Sequence, residues 1–178
     1  MSNLRITLPG FRCPLPFKFR VRMIHHLRRW FFGYAGAVFV AVIFQHNFSF
    51  GINAGASLPH TLFIIHKGAA IHRGDYVAFR WHGGGPYPAG VTFLKVAAGI
   101  PGDRVTRIDR DYFVSGRYVG TAKSHGRDGK ALVPMRGGVL GADEYYVSAF
   151  HPDSLDSRYN LTGWIVKSDL IGRAYALF

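Results

Sequence analysis

The sequence predicts a mainly β fold preceded by one N-terminal transmembrane helix. Three observations carry this expectation. Positive charge is crowded into the first 29 residues, and no acidic residue occurs before Asp75. An uncharged, almost wholly apolar run follows from Trp30 to Phe44, and the lack of charge continues to Ile52. After Ser57 the pattern changes to short runs rich in β-branched and aromatic residues, separated by Gly, Pro and Asp turn signals.

The length of 178 residues suits one domain with an appendage. With 48% apolar and 18% charged residues, the domain can build a sizeable core without disulfides. The net charge of +12 is unevenly placed, because Arg5, Arg12, Lys18, Arg20, Arg22, Arg28 and Arg29 precede the apolar run. Such a basic arm either binds phosphates or flanks a membrane segment on its cytoplasmic side. The apolar run decides between the two. A spanning helix takes about 17–25 residues. Residues 30–50 supply them if Gln45, His46 and Asn47 lie near the outer interface, with Trp30, Phe48 and Phe50 as interfacial anchors.

The expected organisation is therefore a basic cytoplasmic tail (1–29), a transmembrane anchor (30–50) and an extracytoplasmic domain (51–178). The positive-inside rule puts the N-terminus in the cytoplasm and everything after Ile52 outside it; the expected location is a single pass in the cytoplasmic (inner) membrane, with the domain periplasmic or extracytoplasmic. Ala54-Gly55-Ala56 has the small-residue pattern of a signal-peptide cleavage site. It lies well beyond the apolar run, however, and the basic region is long for a signal peptide. The single cysteine, Cys13, falls in the tail. The outer domain thus has neither disulfides, thiol catalysis nor a Cys-ligated zinc site.

Along the chain, residues 1–22 contain Pro9, Pro14 and Pro16 and no helical period, and read as a loose arm; Met23–Trp30 begins the helix. Strands are expected at Thr61–Ile65, Asp75–Trp81, Gly90–Ala98 and Arg104–Ile108. Tyr112–Val114 and Arg117–Val119 flank Ser115-Gly116 as a hairpin. Lys123–Gly138 reads as an exposed loop, and strands return at Glu144–Phe150, Gly163–Val166 and Gly172–Phe178.

Three stretches point to chemistry. The first is Gly51-Ile52-Asn53-Ala54-Gly55-Ala56-Ser57-Leu58-Pro59, where small residues leave the Ser57 hydroxyl on a bare backbone and Pro59 stiffens the exit. A serine needs a base to become a nucleophile. Nine histidines make a Ser-His-Asp triad conceivable by count, but the stretch misses the G-x-S-x-G elbow and its βα setting. His82-Gly83-Gly84-Gly85 imitates a lipase oxyanion loop and reads here as a hairpin connection.

The second stretch holds Lys95, a cation inside the apolar run Val91–Ala98. Strand alternation puts it on one face with Phe93 and Ala97. An apolar setting lowers an ammonium pKa, and a neutral lysine is a competent base. The competing reading is a strand lysine whose head snorkels to water. The third is Asp153-Ser154-Leu155-Asp156-Ser157-Arg158-Tyr159. On an extended chain Asp156 and Arg158 share a side and can pair, and Ser154 can bond the lysine nitrogen. Alone, this stretch is equally a polar loop with a weak surface ion pair.

Taken in order, Ser57-Leu58-Pro59, then Phe93-Leu94-Lys95-Val96-Ala97-Ala98-Gly99-Ile100-Pro101-Gly102-Asp103, then Asp153–Tyr159 resemble the type I signal peptidase superfamily of Ser/Lys proteases. Ser-Leu-Pro and the compact domain most resemble its conjugative-transfer (TraF-type) members, which mature pilin precursors. Asp169-Leu170-Ile171-Gly172-Arg173-Ala174 matches a family ending. The resemblance runs from about Asn53 to the C-terminus. It implies a signal-peptidase-like antiparallel β domain, with Ser57 as nucleophile and Lys95 as general base. It further implies that Ser154 orients the lysine, that Asp156 and Arg158 buttress the site, and that the Ser57 N–H is an oxyanion donor. No cofactor or metal is implied. The partners are a precursor protein and the lipid membrane, with no nucleic acid expected.

Three departures stand out. Many members carry a hydroxyl residue two before the nucleophile, where this chain has Gly55. The family's basic residue after the lysine is Val96, and extra residues follow Tyr159 before Gly163. A non-catalytic membrane-anchored β-domain of a secretion or conjugation assembly is the alternative, and Gly55 is its best support. His60, His66 and His72 are metal-capable side chains, but they lack an acidic companion and a recognised ligand spacing.

Overall fold

The computed structural model describes residues 17–55 and 57–178. The expected loose arm up to residue 16, with Cys13, lies outside the described residues. The chain divides into two compact units, residues 1–43 and 44–178.

One helix, α1 (Phe17–Asn47), accounts for the described part of the first unit and extends to the start of the second. It begins six residues before Met23, so Phe17–Arg22, expected to be loose, are helical. Its stretch Val21–Asn47 is long and apolar enough to cross a membrane. At about 1.5 Å per residue, those 27 residues exceed the hydrocarbon thickness of about 30 Å. Phe32, Phe39 and Val40 are exposed on it, unlike the side chains of a globular core helix. The helix stops at Asn47. Phe48 and Phe50, expected at its outer end, instead open the first strand.

Apart from the end of α1 and a short 3-10 turn at Lys167–Asp169, the regular structure of the second unit is antiparallel β. A seven-stranded sheet is built from β1 (Phe48–Ile52), β2 (Leu62–Lys67), β3 (Tyr76–Arg80), β4 (Thr92–Gly99), β9 (Glu144–Ser148), β10 (Ile165–Val166) and β11 (Leu170–Ala176). Their spatial order is β1-β2-β11-β3-β4-β9-β10. A four-stranded sheet, ordered β7-β6-β5-β8, takes β5 (Arg104–Ile108), β6 (Asp111–Val114), β7 (Arg117–Thr121) and β8 (Gly138–Val139). The expected strands are present within a few residues. The exceptions are β1, which continues an apolar run and so carries no boundary in sequence, and β8, which is too short to show a period. The strand expected over Glu144–Phe150 ends at Ser148.

Alternation sorts the large sheet into two faces. Leu58, Phe63, Ile65, Ala78, Leu94 and Ala174 form one apolar cluster, and Val77, Phe79, Trp81, Ala97, Val147 and Ile165 form another. A third cluster, with Val105, Tyr112, Val114, Leu140, Tyr146 and Tyr159, joins residues of both sheets. The turn between β4 and β5 is held by Asp103. Its carboxylate accepts from Ile100 N at 2.9 Å and Ser115 Oγ at 2.8 Å, and it pairs with Arg73. This gives Gly-Ile-Pro-Gly-Asp a structural job at the end of the strand that carries Lys95.

Strand β11 runs between β2 and β3, and at Gly172 its backbone approaches that of β2 closely. A Cβ at Gly172 would lie 2.0 Å from the His66 carbonyl oxygen, and backbone cannot yield there as a side chain can. Gly172→Ala is therefore expected to lower stability by about 2 kcal/mol or more. The test is the urea midpoint of the detergent-solubilised protein, and an unchanged midpoint would contradict this packing.

Candidate active site

Lys95 sits on β4, flanked by β3 and β9, opposite Val77. Phe93, two residues earlier, is fixed by an aromatic pile. It stacks on Trp81 with ring centroids 4.8 Å apart and meets Phe79 and Tyr87 edge-on. Lys95 Nζ lies 5.6 Å from the Phe93 ring centroid. The residue is only 6% exposed, so its head does not reach bulk water as the snorkelling alternative requires. Its Nζ donates to Ser154 Oγ at 2.7 Å. Burial strips water from the ammonium and lowers the Lys95 pKa from 10.5 to about 8; the Asp156 carboxylate opposes this shift and the Arg158 guanidinium adds to it. Loss of hydration outweighs the favourable charge, so a substantial neutral fraction exists at mildly alkaline pH.

Ser154, Asp156 and Arg158 all come from one buried turn. The chain there is not extended, as the two-residue spacing suggested; Tyr159 N bonds back to Asp156 O at 3.1 Å. Nor is the ion pair a surface one. Asp156 is fully buried and Arg158 is 3% exposed. Arg158 Nε donates to Asp156 Oδ1 at 2.8 Å and Nη2 to Oδ2 at 2.9 Å, a two-pronged pair. Nη1 donates to Thr121 O at 2.8 Å, and Nη2 also reaches Ser154 O at 3.3 Å. Asp156 Oδ2 accepts from Ala149 N at 3.2 Å. The guanidinium thus ties the turn that holds Ser154 to the four-stranded sheet. Outside it, Asp153 is gripped by Lys123 and Arg127, which pins part of the expected exposed loop to the same turn.

Ser57 lies in the connection between β1 and β2. Leu58 is buried in the same apolar cluster as Leu94, the neighbour of Lys95. The Ser57 carbonyl accepts from Phe150 N at 3.2 Å, one residue beyond the Ala149 N–H that binds Asp156. Ser57 and Lys95 are thereby attached to the same framework. Their side chains are not hydrogen-bonded to each other: the Ser57 hydroxyl donates to Asn53 Oδ1 at 3.0 Å. At Gly55 an added Cβ would meet nothing within 4 Å.

Asn53 was not singled out from sequence. The one available signal was an Asn four residues before the serine in a loop, a residue type that commonly bonds local backbone. The three histidines considered as ligands have other surroundings. His60 meets Phe63 and Tyr76 edge-on, His66 stacks on Phe48, and His72 lies 3.3 Å from Asp75.

A family model described as signal peptidase, peptidase S26, matches residues 23–178. No curated protein matches the chain. Among solved structures, the crystal structure of a signal peptidase I from Enterococcus faecalis V583 aligns over 61% of this chain and 97% of its own. The identity is 20% and the TM-score 0.38.

Burying Lys95 has a stability consequence with a definite sign. At about 1.4 kcal/mol per pH unit, holding a charged lysine where its pKa is about 8 rather than 10.5 costs about 3 kcal/mol. The unfolded chain binds the extra proton between those two values, so stability rises with pH across that window. Lys95→Met is expected to melt above wild type at pH 7, and the difference should shrink from pH 8 toward 10.5. Parallel melting curves for the two proteins across that range would show that the lysine is solvated.

Proposed function

The chain belongs to the signal peptidase, peptidase S26, family of serine peptidases, and from that premise we propose a membrane-anchored endopeptidase with Ser57 as nucleophile and Lys95 as general base. The observation that carries the reading is the buried lysine, bonded to Ser154 and with its pKa lowered to about 8. In the reaction, the Ser57 hydroxyl turns from Asn53 to the neutral amine of Lys95. Ser57 Oγ attacks the scissile carbonyl while its proton passes to Nζ. Lys95 then gives that proton to the leaving amine, and an acyl-enzyme remains. Water, deprotonated by the same lysine, releases the acyl group and restores Ser57. Ser154 holds the nitrogen in place through the cycle. Asp156 and Arg158 hold the turn that holds Ser154.

The oxyanion forms beside the Ser57 N–H, which meets no acceptor among the described residues. Gly55 contributes no side-chain donor, so any second donor to the oxyanion comes from another group.

The order Ser57-Leu58-Pro59, Lys95 and Asp156-Ser157-Arg158 supports a TraF-type role in maturing secreted or pilin-like precursors, as in conjugation. Some such enzymes join the new end to an amine instead of water. The apolar helix anchors the domain as a single pass in the inner membrane. The basic tail, residues 1–29 of the sequence, faces the cytoplasm, and the peptidase domain (51–178) faces the periplasm. Anchoring confines enzyme and membrane-borne precursor to one surface, which raises their effective concentration. A second reading, a non-catalytic β-domain of a secretion or conjugation assembly, draws on the Ser57–Asn53 bond and on Gly55.

Processing of a panel of pilin-like and secreted precursors in membranes separates the readings. Ser57→Ala and Lys95→Ala are each expected to abolish cleavage. Wild-type activity should rise with pH through about 8 and level off above it, because the base must be neutral. Normal processing by Lys95→Ala would remove the lysine from the mechanism. Gly55→Ser is a gain-of-function test, since the position is open. It is expected to fold as wild type and to raise kcat by about tenfold or more, within the range of a single oxyanion donor.

A further inference from the structure

We propose that Asn53 is a positioning residue that presents Ser57 for reaction, acting through both the backbone and the hydroxyl of the nucleophile loop. The inference rests on Ser57 being the nucleophile.

The loop between β1 and β2 is closed at its base by the register pair Ile52 and Leu62 and by Asn53 N to Thr61 O at 2.8 Å. Nothing in that closure dictates the path of the residues between. The Asn53 side chain does, together with the Phe150 N–H that donates to Ser57 O at 3.2 Å. Asn53 Nδ2 donates to Leu58 O at 3.2 Å and to His60 O at 3.1 Å, on the far limb of the loop. Its Oδ1 accepts the Ser57 hydroxyl at 3.0 Å. One primary amide has two N–H groups and one carbonyl oxygen, and all three kinds of contact are used.

The orientation of this amide follows from its partners. Leu58 O and His60 O are carbonyls and can only accept, so the NH₂ end must face them. The oxygen end is then left toward Ser57, and the serine must donate to it. Flipping the amide would set oxygen against two carbonyls. The Ser57 hydroxyl is therefore held against Asn53, with its proton directed at Oδ1.

An amide oxygen is far too weak a base to take that proton, so Asn53 does not replace Lys95. It acts one step earlier. It sets the loop path that places Ser57 Oγ, and the buried Leu58 side chain seats the same loop in the core. Releasing the hydroxyl breaks only the contact with Oδ1, and the two Nδ2 contacts to the loop backbone remain. Misplacing a reacting atom by about 1 Å can cost about a hundredfold in rate.

Two variants separate the parts. Asn53→Ala removes every side-chain contact. Asn53→Asp keeps size and the acceptor for Ser57 but sets a carboxylate against Leu58 O and His60 O. The full-length proteins, in proteoliposomes, would be assayed on a pilin-like precursor that wild type cleaves, and hydrogen exchange over residues 53–61 would be followed by mass spectrometry. For both variants kcat on the high-pH plateau is expected to fall about a hundredfold. KM should stay within about twofold, as for a group that does not bind substrate. In Asn53→Ala the pH midpoint should remain near 8, because no charge changes and Asn53 does not touch Lys95; the new carboxylate of Asn53→Asp can only raise it. Exchange should quicken in residues 53–61 and not in β4.

Wild-type kcat in either variant, a displaced midpoint in Asn53→Ala, or unchanged exchange over 53–61 would each overturn the proposal. If Asn53→Ala melts too early to assay, the isosteric Asn53→Asp carries the test. Cleavage surviving in Ser57→Ala would instead sink the nucleophile assignment. The exchange measurement still tests the Asn53 clamp in that case, because it needs no turnover.

Discussion

The buried ion pair of Asp156 and Arg158 is the constraint on which the site depends. Removing two charges from water costs several kcal/mol each, and their mutual attraction repays that only with good geometry and satisfied hydrogen bonds. Both conditions are met here, since the guanidinium meets both carboxylate oxygens and also donates to the backbone carbonyls of Thr121 and Ser154. What the pair supplies is position. It binds the turn that carries Ser154 to Thr121 on one side and to Ala149, just past β9, on the other. Ser154 then meets Lys95 across a gap in sequence of 59 residues.

That placement sets two opposing demands on Lys95. Burial has to be deep enough to lower its pKa, yet the neutral amine must keep a polar partner. Ser154 satisfies the second demand, and the apolar face of β4, with Val77 opposite and Phe93 beside it, satisfies the first. Asp156 acts on the same nitrogen through its charge and limits how far the pKa falls. The result is a buried lysine with its pKa lowered to about 8, obtained at the expense of fold stability. The Ser57 hydroxyl has a separate partner, the Asn53 amide, so serine and lysine are each hydrogen-bonded to a side chain of their own.

Much of the fold was legible because its signals are local. Gly, Pro and Asp punctuate the strands from Leu62 onward, and β-branched and aromatic residues fill them. The failures have physical causes. Phe48–Ile52 extends an apolar run, and composition cannot tell the end of a membrane helix from the start of a strand. Phe17–Arg22 is helical although prolines lie just upstream, because proline is compatible with the start of a helix. Among the candidate residues, Lys95 stood out as a charge in an apolar run. Ser154, Asp156 and Arg158 gained meaning only from resemblance, because a polar turn has the same composition whether it is exposed or buried.

By itself, the sequence determined the apolar helix long enough to cross a membrane, the β character of the rest, and the residue types open to serine chemistry without thiols. Those properties follow from charge distribution and periodicity, which are read along the chain. Only the tertiary structure decided that Lys95 is buried and bonded to Ser154, that Asp156 and Arg158 pair in the interior, and that the Ser57 hydroxyl rests on Asn53. Hydration, hydrogen-bond partners and pKa values depend on neighbours brought together across the sheets, and no local pattern encodes which neighbours those are.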